Sequence, residues 1–284
     1  MKVGLVLEGG AMRGMYTAGV LDIFMENNIE VDGIIGVSAG ALFGVNYFSK
    51  QKGRALRYSK RFCKSRRYMS ILSYIFTGNI INKNFAFYKV SKELDVFDDE
   101  TYKKNNTGFY AVATNVETGK PEYLEIDSCF DKMESLRATS AIPLVSKFVE
   151  IDCKKYLDGG ISDSIPIDKC IEMGFDKIIV VLTRDLEYRK KELSDKTIFG
   201  LKRKFKKYPE LINTMIKRPT EYNKTIDKIK KFEEEGKIFV IRPSSPINIK
   251  VLERNPDNLQ KVYDLGINDC NNILSRLIDY LKDN

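Results

Sequence analysis

Ser38 stands in Gly36-Val37-Ser38-Ala39-Gly40, between a short apolar run that starts at Val31 and a segment compatible with a helix. Strand, tight turn and helix form the layout of a nucleophile elbow, in which a serine hydroxyl projects above a sheet. Gly36, Ala39 and Gly40 are small enough for a turn that brings neighbouring backbone close. The hydroxyl would sit at a helix N-terminus, where backbone dipoles favour developing negative charge. Taken alone, the pentapeptide fits equally a serine that only caps the following helix.

The chain has no histidine in 284 residues. A Ser-His-Asp relay is therefore impossible, and a carboxylate is the obvious substitute as proton acceptor. An ordinary aspartate, with a pKa near about 3.9, is a poor base towards an alcohol. It must be desolvated and held within hydrogen-bond reach of the serine. Asp158, in Tyr156-Leu157-Asp158-Gly159-Gly160, is an aspartate in a tight glycine turn of the required kind. Asp-Gly-Gly is also a common turn, and Asp163 is the nearest rival carboxylate.

Elements that position these residues can be read from the patterning. Lys2 to Leu7 predicts a buried strand, and Gly9-Gly10-Ala11-Met12-Arg13-Gly14 a glycine-rich loop opening a helix. That helix carries apolar residues at Met15, Ala18, Leu21, Phe24 and Met25 and ends at Asn27-Asn28. Glu30 or Asp32 lies at the distance a dinucleotide-binding fold requires, but Ala11 occupies the position where the pyrophosphate needs glycine, which disfavours that reading. After the Ser38 helix the pattern predicts strands over 108–116, 122–126, 177–183 and 238–241, and a closing amphipathic helix from Pro256 to Lys282. An Asn- and Lys-rich connector follows Phe76, and the lysine-rich 190–236 stretch reads as a solvated helical excursion. The expected fold is a three-layer α/β/α sandwich with a mostly parallel central sheet and helical excursions. We expect one domain over residues 1–284: a core of about 2–185 plus 237–242, the excursion at about 190–236, and a C-terminal helical extension at about 243–284.

The net charge of +8 is unevenly spread. Gly33 to Lys92 contains 12 basic residues and no acidic one, with a basic run from Lys50 to Arg67 followed by an apolar run from Tyr68 to Phe76. These two runs fit a rim or lid facing an anionic membrane surface, and equally a solvated basic helix followed by an ordinary core helix. No nucleic-acid-binding motif accompanies the basic run, so a nucleic-acid partner is disfavoured. Five cysteines form no C-x-x-C pair, and with histidine absent neither a metal site nor a cofactor is expected. The N-terminal apolar run is too short for a secretory segment and no stretch approaches a membrane span, so the expected location is cytoplasmic, peripheral at the membrane.

A Gly-Gly-x-x-Arg-Gly loop, then Gly-x-Ser-x-Gly, then Asp-Gly-Gly, in that order, resembles the patatin-like phospholipase family, in particular its bacterial cytoplasmic branch. The similarity extends through Ala113 to Gly119, Ala138 to Pro143 and Asp158 to Pro166. It implies a Ser-Asp dyad acyl hydrolase acting on lipid esters, with Ser38 as nucleophile and Asp158 as proton acceptor. Backbone N–H groups around Gly10, Ala11 and Met12, aided by Arg13, would hold the oxyanion. Ala11 departs from the family's usual third glycine. A hydrolase of soluble esters or thioesters, or a non-catalytic lipid- or nucleic-acid-binding protein, is the alternative reading.

Overall fold

Alternating side chains along the central strands decide the architecture. In the computed structural model, which describes residues 1–105 and 107–282, the order is β1 (Val3–Leu7), α1 (Met15–Glu26), β2 (Gly33–Val37), α2 (Ala39–Phe48), α3 (Arg54–Phe62) and α4 (Ile71–Thr77). There follow α5 (Asp99–Lys103), β3 (Gly108–Asn115), β4 (Pro121–Glu125), α6 (Met133–Thr139), β5 (Val149–Ile151), β6 (Lys154–Asp158) and α7 (Ile167–Glu172). The chain closes with β7 (Lys177–Val181), α8 (Asp195–Lys204), α9 (Pro209–Glu234), β8 (Phe239–Ile241) and α10 (Pro256–Lys282). Leu5, Leu7, Ile34, Ile179 and Val181 pack on one face with α1, α2 and α10. Val6, Ile35, Val37, Ile178 and Val180 pack on the other with α7 and α9. A period of two along strands buried on both faces gives the α/β/α sandwich.

Strands β3, β2, β1, β7 and β8 run parallel, while β4, β5 and β6 join antiparallel at the β3 end. β3 has a divided edge. Ala111 and Val112 pair with both β2 and β4, whereas Ala113 and Thr114 pair with both β4 and β6. β4 therefore holds one edge of β3, and β2 and β6 share the other, their C-terminal ends meeting between Val112 and Ala113.

Three stretches differ from the sequence expectation. The supposed connector after Phe76 contains a π-helical segment, Asn84–Leu94, whose Val90 is buried and whose Phe85 meets Phe62 edge-on. The 190–236 stretch is packed rather than solvated: Leu211, Ile212, Met215, Tyr222, Ile226 and Ile229 form a buried stripe along α9. Their three- and four-residue spacing is regular, but lysines on the opposite face hide it in average composition. In the basic run, Arg54 is buried against Asp95, Arg57 binds the Asp95 carboxylate through two nitrogens, and Arg61 donates to the Leu94 carbonyl. Tyr68 and Met69 are buried too, so both runs lose residues from the expected surface.

The C-terminal helix belongs to the core. α10 lies so close along α1 that a Cβ on Gly266 would come 2.2 Å from the Tyr16 carbonyl oxygen, and the buried Tyr263 hydroxyl donates to Asp22. Gly266→Ala should lower thermal stability by about 1–3 kcal/mol through overpacking, despite the helix-favouring substitution. A rise in melting temperature, as propensity alone would give, contradicts this close crossing.

Candidate active site

Ser38 begins where β2 ends, at φ 51° and ψ −120°, a region L-residues rarely occupy. Its backbone N–H donates to the buried Thr139 Oγ1 at 2.8 Å, which ties the strained turn to α6. The turn is closed tightly underneath: a Cβ on Gly40 would lie 2.6 Å from the Leu7 carbonyl oxygen. The side chain, 7% exposed, donates from Oγ to Asp158 Oδ2 at 2.7 Å. Ser38 thus makes no capping bond to its own helix.

Asp158 ends β6, and its second oxygen, Oδ1, accepts the Gly160 N–H at 2.8 Å. The Thr114 hydroxyl donates to the Asp158 carbonyl at 2.8 Å, holding the turn against β3. Burial raises the carboxyl above its ordinary pKa, and the bonds from Ser38 and Gly160, with Arg218 and Lys190 nearby, offset part of that rise. The rival carboxylate is engaged elsewhere. Asp163 accepts from the Tyr123 hydroxyl at 2.9 Å, and burial pushes it up to about 6.

The glycine-rich loop forms a 3-10 turn over Ala11–Gly14. Ala11 has φ 48°, so the methyl group that replaces a hydrogen here is carried in the left-handed region. Among the described residues, the Gly10 and Ala11 N–H groups have no acceptor. The Met12 N–H, expected with them at the oxyanion position, is turned to the Val251 carbonyl at 3.4 Å. Arg13 borders the same space with its Nε buried and unpartnered; burial, and then Arg184, hold it below the ordinary arginine range.

Ser38, Asp158, Gly9, Gly10, Ala11 and Arg13 line one cavity of about 320 Å³. Gly160 lines it as well, whereas Gly14, Gly36, Val37, Ala39, Gly40 and Gly159 shape the turns behind it. Sequence reasoning missed Thr139 and Glu8, and also Arg184, Tyr188, Lys190, Arg218 and Tyr222, which close the cavity from the 184–190 segment and α9. Thr139 lies within Ala138 to Pro143, where a hint existed; the others carry no motif. Glu8 is held by the Thr183 N–H at 2.6 Å and the Tyr222 hydroxyl at 2.8 Å. Burial and Arg218 push the Lys190 ammonium down to about 6. A larger hollow of about 500 Å³, bordered by Leu186, Lys230, Arg242 and Asp269, contains neither Ser38 nor Asp158. Among the described residues no three His, Cys, Asp or Glu side chains converge as metal ligands would, and no helix is long and apolar enough to cross a membrane.

Residues 5–171, which hold the loop, the elbow and the Asp158 turn, match the patatin-like phospholipase family. The chain belongs to that family. As a member of that family it is a lipid acyl hydrolase. Its residues 208–282, covering α9 to α10, match a domain of unknown function, DUF6363. It is 27% identical to the uncharacterized protein YjjU of Escherichia coli (strain K12) over 278 residues, 93% of this chain and 75% of YjjU. It is 28% identical over 188 residues to lysophospholipase nte1 of Aspergillus fumigatus, covering 63% of this chain but 12% of that protein. Among solved structures it is similar to VipD from Legionella pneumophila, at 12% identity and a TM-score of 0.46, covering 97% of this chain and 67% of that one.

The strained alanine gives a prediction. Ala11→Gly removes about 1 kcal/mol of left-handed backbone strain, which the freer unfolded chain offsets in part. The variant should melt no lower than the parent and turn over a short-chain ester faster. A clear loss of stability in thermal melts would mean that the alanine is not strained.

Proposed function

We propose that this enzyme cleaves lipid esters through a Ser38-Asp158 dyad and an acyl-enzyme intermediate. The observation that carries the reading is the buried 2.7 Å hydrogen bond from Ser38 Oγ to Asp158 Oδ2 in a chain without histidine. Asp158 takes the Oγ proton as Ser38 attacks the ester carbonyl, and the free Gly10 and Ala11 N–H groups receive the developing oxyanion. Collapse of the tetrahedral species returns that proton to the leaving alcohol and leaves the acyl group on Ser38. Water then repeats the sequence, with Asp158 again as base, to release the fatty acid. Burial helps because a carboxylate raised above its ordinary pKa is a stronger base. Lysophospholipids, the substrates that the lysophospholipase relatives point to, are the substrate class this reading favours.

A membrane-facing rim fits the same reading. On α4, Ile71, Leu72, Ile75 and Phe76 are exposed, Phe76 at 82%, and the exposed Lys64, Arg66 and Arg67 precede the helix. The Tyr74 hydroxyl ties α4 to the Leu144 carbonyl at 2.9 Å, next to Ile142 and Pro143 of the cavity wall. Phe199 of α8 is exposed at 70%, and Lys204 of that helix also donates to the Leu144 carbonyl. Apolar side chains in the interface and cations at anionic headgroups would hold the cavity mouth at a bilayer from the cytoplasmic side.

Two outcomes are expected. Ser38→Ala and Asp158→Asn should each lower ester hydrolysis by about a thousandfold or more, with the double variant little worse than either, because the pair acts as a unit. Asp158→Asn should stay folded: a raised carboxyl pKa means that the native state binds more protons than the unfolded one, so the ionised group costs stability at neutral pH. For the same reason the acid limb of kcat/KM in the parent should lie above about 3.9. Full activity in folded Asp158→Asn, or no labelling of Ser38 by a fluorophosphonate, refutes the dyad. The second outcome concerns vesicles. Replacing Ile71, Ile75 and Phe76 with Ser should reduce binding and hydrolysis on anionic vesicles severalfold more than hydrolysis of a soluble ester, and salt should weaken the parent's binding. Unchanged vesicle binding would retire the rim.

A further inference from the structure

The cavity beside Ser38 carries more positive charge than the acyl-transfer chemistry uses. Arg13, Arg184, Lys190 and Arg218 line it against two carboxylates, Glu8 and Asp158. Both carboxylates are occupied. Glu8 is 2% exposed and accepts from the Thr183 N–H, the Thr183 hydroxyl and the Tyr222 hydroxyl, while Asp158 accepts from Ser38 and Gly160. Among the described residues none of the four cations forms a salt bridge within 4.0 Å. Arg13 and Arg218 each keep a buried Nε–H without an acceptor, an arrangement that costs free energy unless a ligand supplies one.

We propose that Arg184, Lys190 and Arg218, together with Arg13, form an anion subsite that receives a phosphate or carboxylate on the alcohol half of the ester. The proposal rests on the acyl-hydrolase reading above and adds the substrate's charge to it. The subsite adjoins the dyad: Arg218 Nη2 lies 3.3 Å from where a Cβ on Gly160 would stand, and Gly160 donates to Asp158. Two of the cations are held in place by aromatic faces. Arg184 stands 4.0 Å from the centre of the Tyr188 ring, and Lys190 Nζ 3.3 Å from that of Tyr222. Guanidinium groups suit the several oxygens of a phosphate, and cations gathered in a cavity with low-dielectric walls focus their field on its contents. An oxyanion on the acyl carbon needs no such set, and three of the four residues lie beyond the family match at 5–171. The ammonium of a choline headgroup would meet cations and no free carboxylate. The favoured substrate is therefore an acylglycerol bearing a phosphomonoester, rather than a neutral or zwitterionic one.

Binding can be tested without turnover. The full-length Ser38→Ala protein would be titrated calorimetrically with 1-hexanoylglycerol 3-phosphate, 1-hexanoylglycerol and 1-hexanoylglycero-3-phosphocholine, all soluble, and with inorganic phosphate alone. The phosphomonoester should bind about tenfold or more tightly than either other ester. In Ser38→Ala carrying Lys190→Met and Arg218→Gln that ratio should fall to within about threefold. Competition by inorganic phosphate identifies the free anion as a ligand in its own right, and binding of the phosphomonoester without such competition assigns the subsite to the lipid headgroup; both support the proposal. Equal binding of the three esters overturns it. Thermal melts supply a readout that a structural role would not give. Lys190→Met in Ser38→Ala should raise the melting temperature, because it removes a buried amine whose charged form burial and Arg218 disfavour, and 1-hexanoylglycerol 3-phosphate should raise that of Ser38→Ala more than that of the double variant. A lower melting temperature with an unchanged phosphomonoester effect makes Lys190 structural and also overturns the subsite. Fluorophosphonate labelling of the parent at Ser38 judges the hydrolase reading separately.

Discussion

The hydrogen bond between Ser38 and Asp158 joins residues 120 positions apart, and one strand sets its length. β2 pairs with β3 as far as Val112, and β6 approaches from the opposite direction to pair at Ala113 on the same edge. The two strand ends thus face each other across a single residue step of β3. Each then turns sharply, into α2 on one side and a 3-10 turn on the other, and the side chains at the turns meet at 2.7 Å. A one-residue slip of either strand would send its side chains to the other face of the sheet. A histidine on a loop could reach a serine by flexing; an aspartate has a shorter arm, and here the sheet register does the positioning.

That register is held by groups far from the chemistry. Thr139 fixes the Ser38 backbone and Thr114 fixes that of Asp158, so hydroxyls bond both turns to the scaffold. Strain is concentrated at two residues of the site with left-handed φ, Ala11 and Ser38. The packing of α1, α2 and α10 over the sheet supplies the rigidity that keeps such unfavourable backbone in place. The second face is covered by α9, whose apolar stripe is core and whose Arg218 and Tyr222 enter the cavity. One helix thereby couples stability to the character of the site. Its neighbours in the cavity keep a net positive environment around a buried carboxylate, which limits the rise in the Asp158 pKa that burial imposes.

Short-range chemistry was legible in the sequence. The two glycine turns, the missing histidine and the parallel α/β order all express local rules: small residues where backbones touch, strands and helices in alternation, one residue type absent altogether. Ala11 could be marked as unusual because a loop of glycines has a stated steric reason, and its φ of 48° is the corresponding backbone fact. Patterning failed where one face of a helix outvoted the other. The lysines of 190–236 concealed a buried stripe, and the basic run of 50–67 concealed Arg54, whose charge is buried beside Asp95. Residue type gives the preference for water, but a long amphipathic side chain takes its place from what folds beside it.

By itself the sequence determined which groups were available for acyl transfer and which turn could carry each of them, since those depend on residue size and on the backbone angles neighbours permit. Only the tertiary structure decided that Ser38 and Asp158 share one edge of β3, that Asp163 belongs to Tyr123, and that Met12 turns away from Gly10 and Ala11. It also gathered Arg13, Arg184, Lys190 and Arg218 around one cavity from three separate segments. The physical reason is that register and convergence are properties of strand pairing and helix packing across more than a hundred residues. No local pattern of charge or hydrophobicity encodes which distant side chains will face the same space.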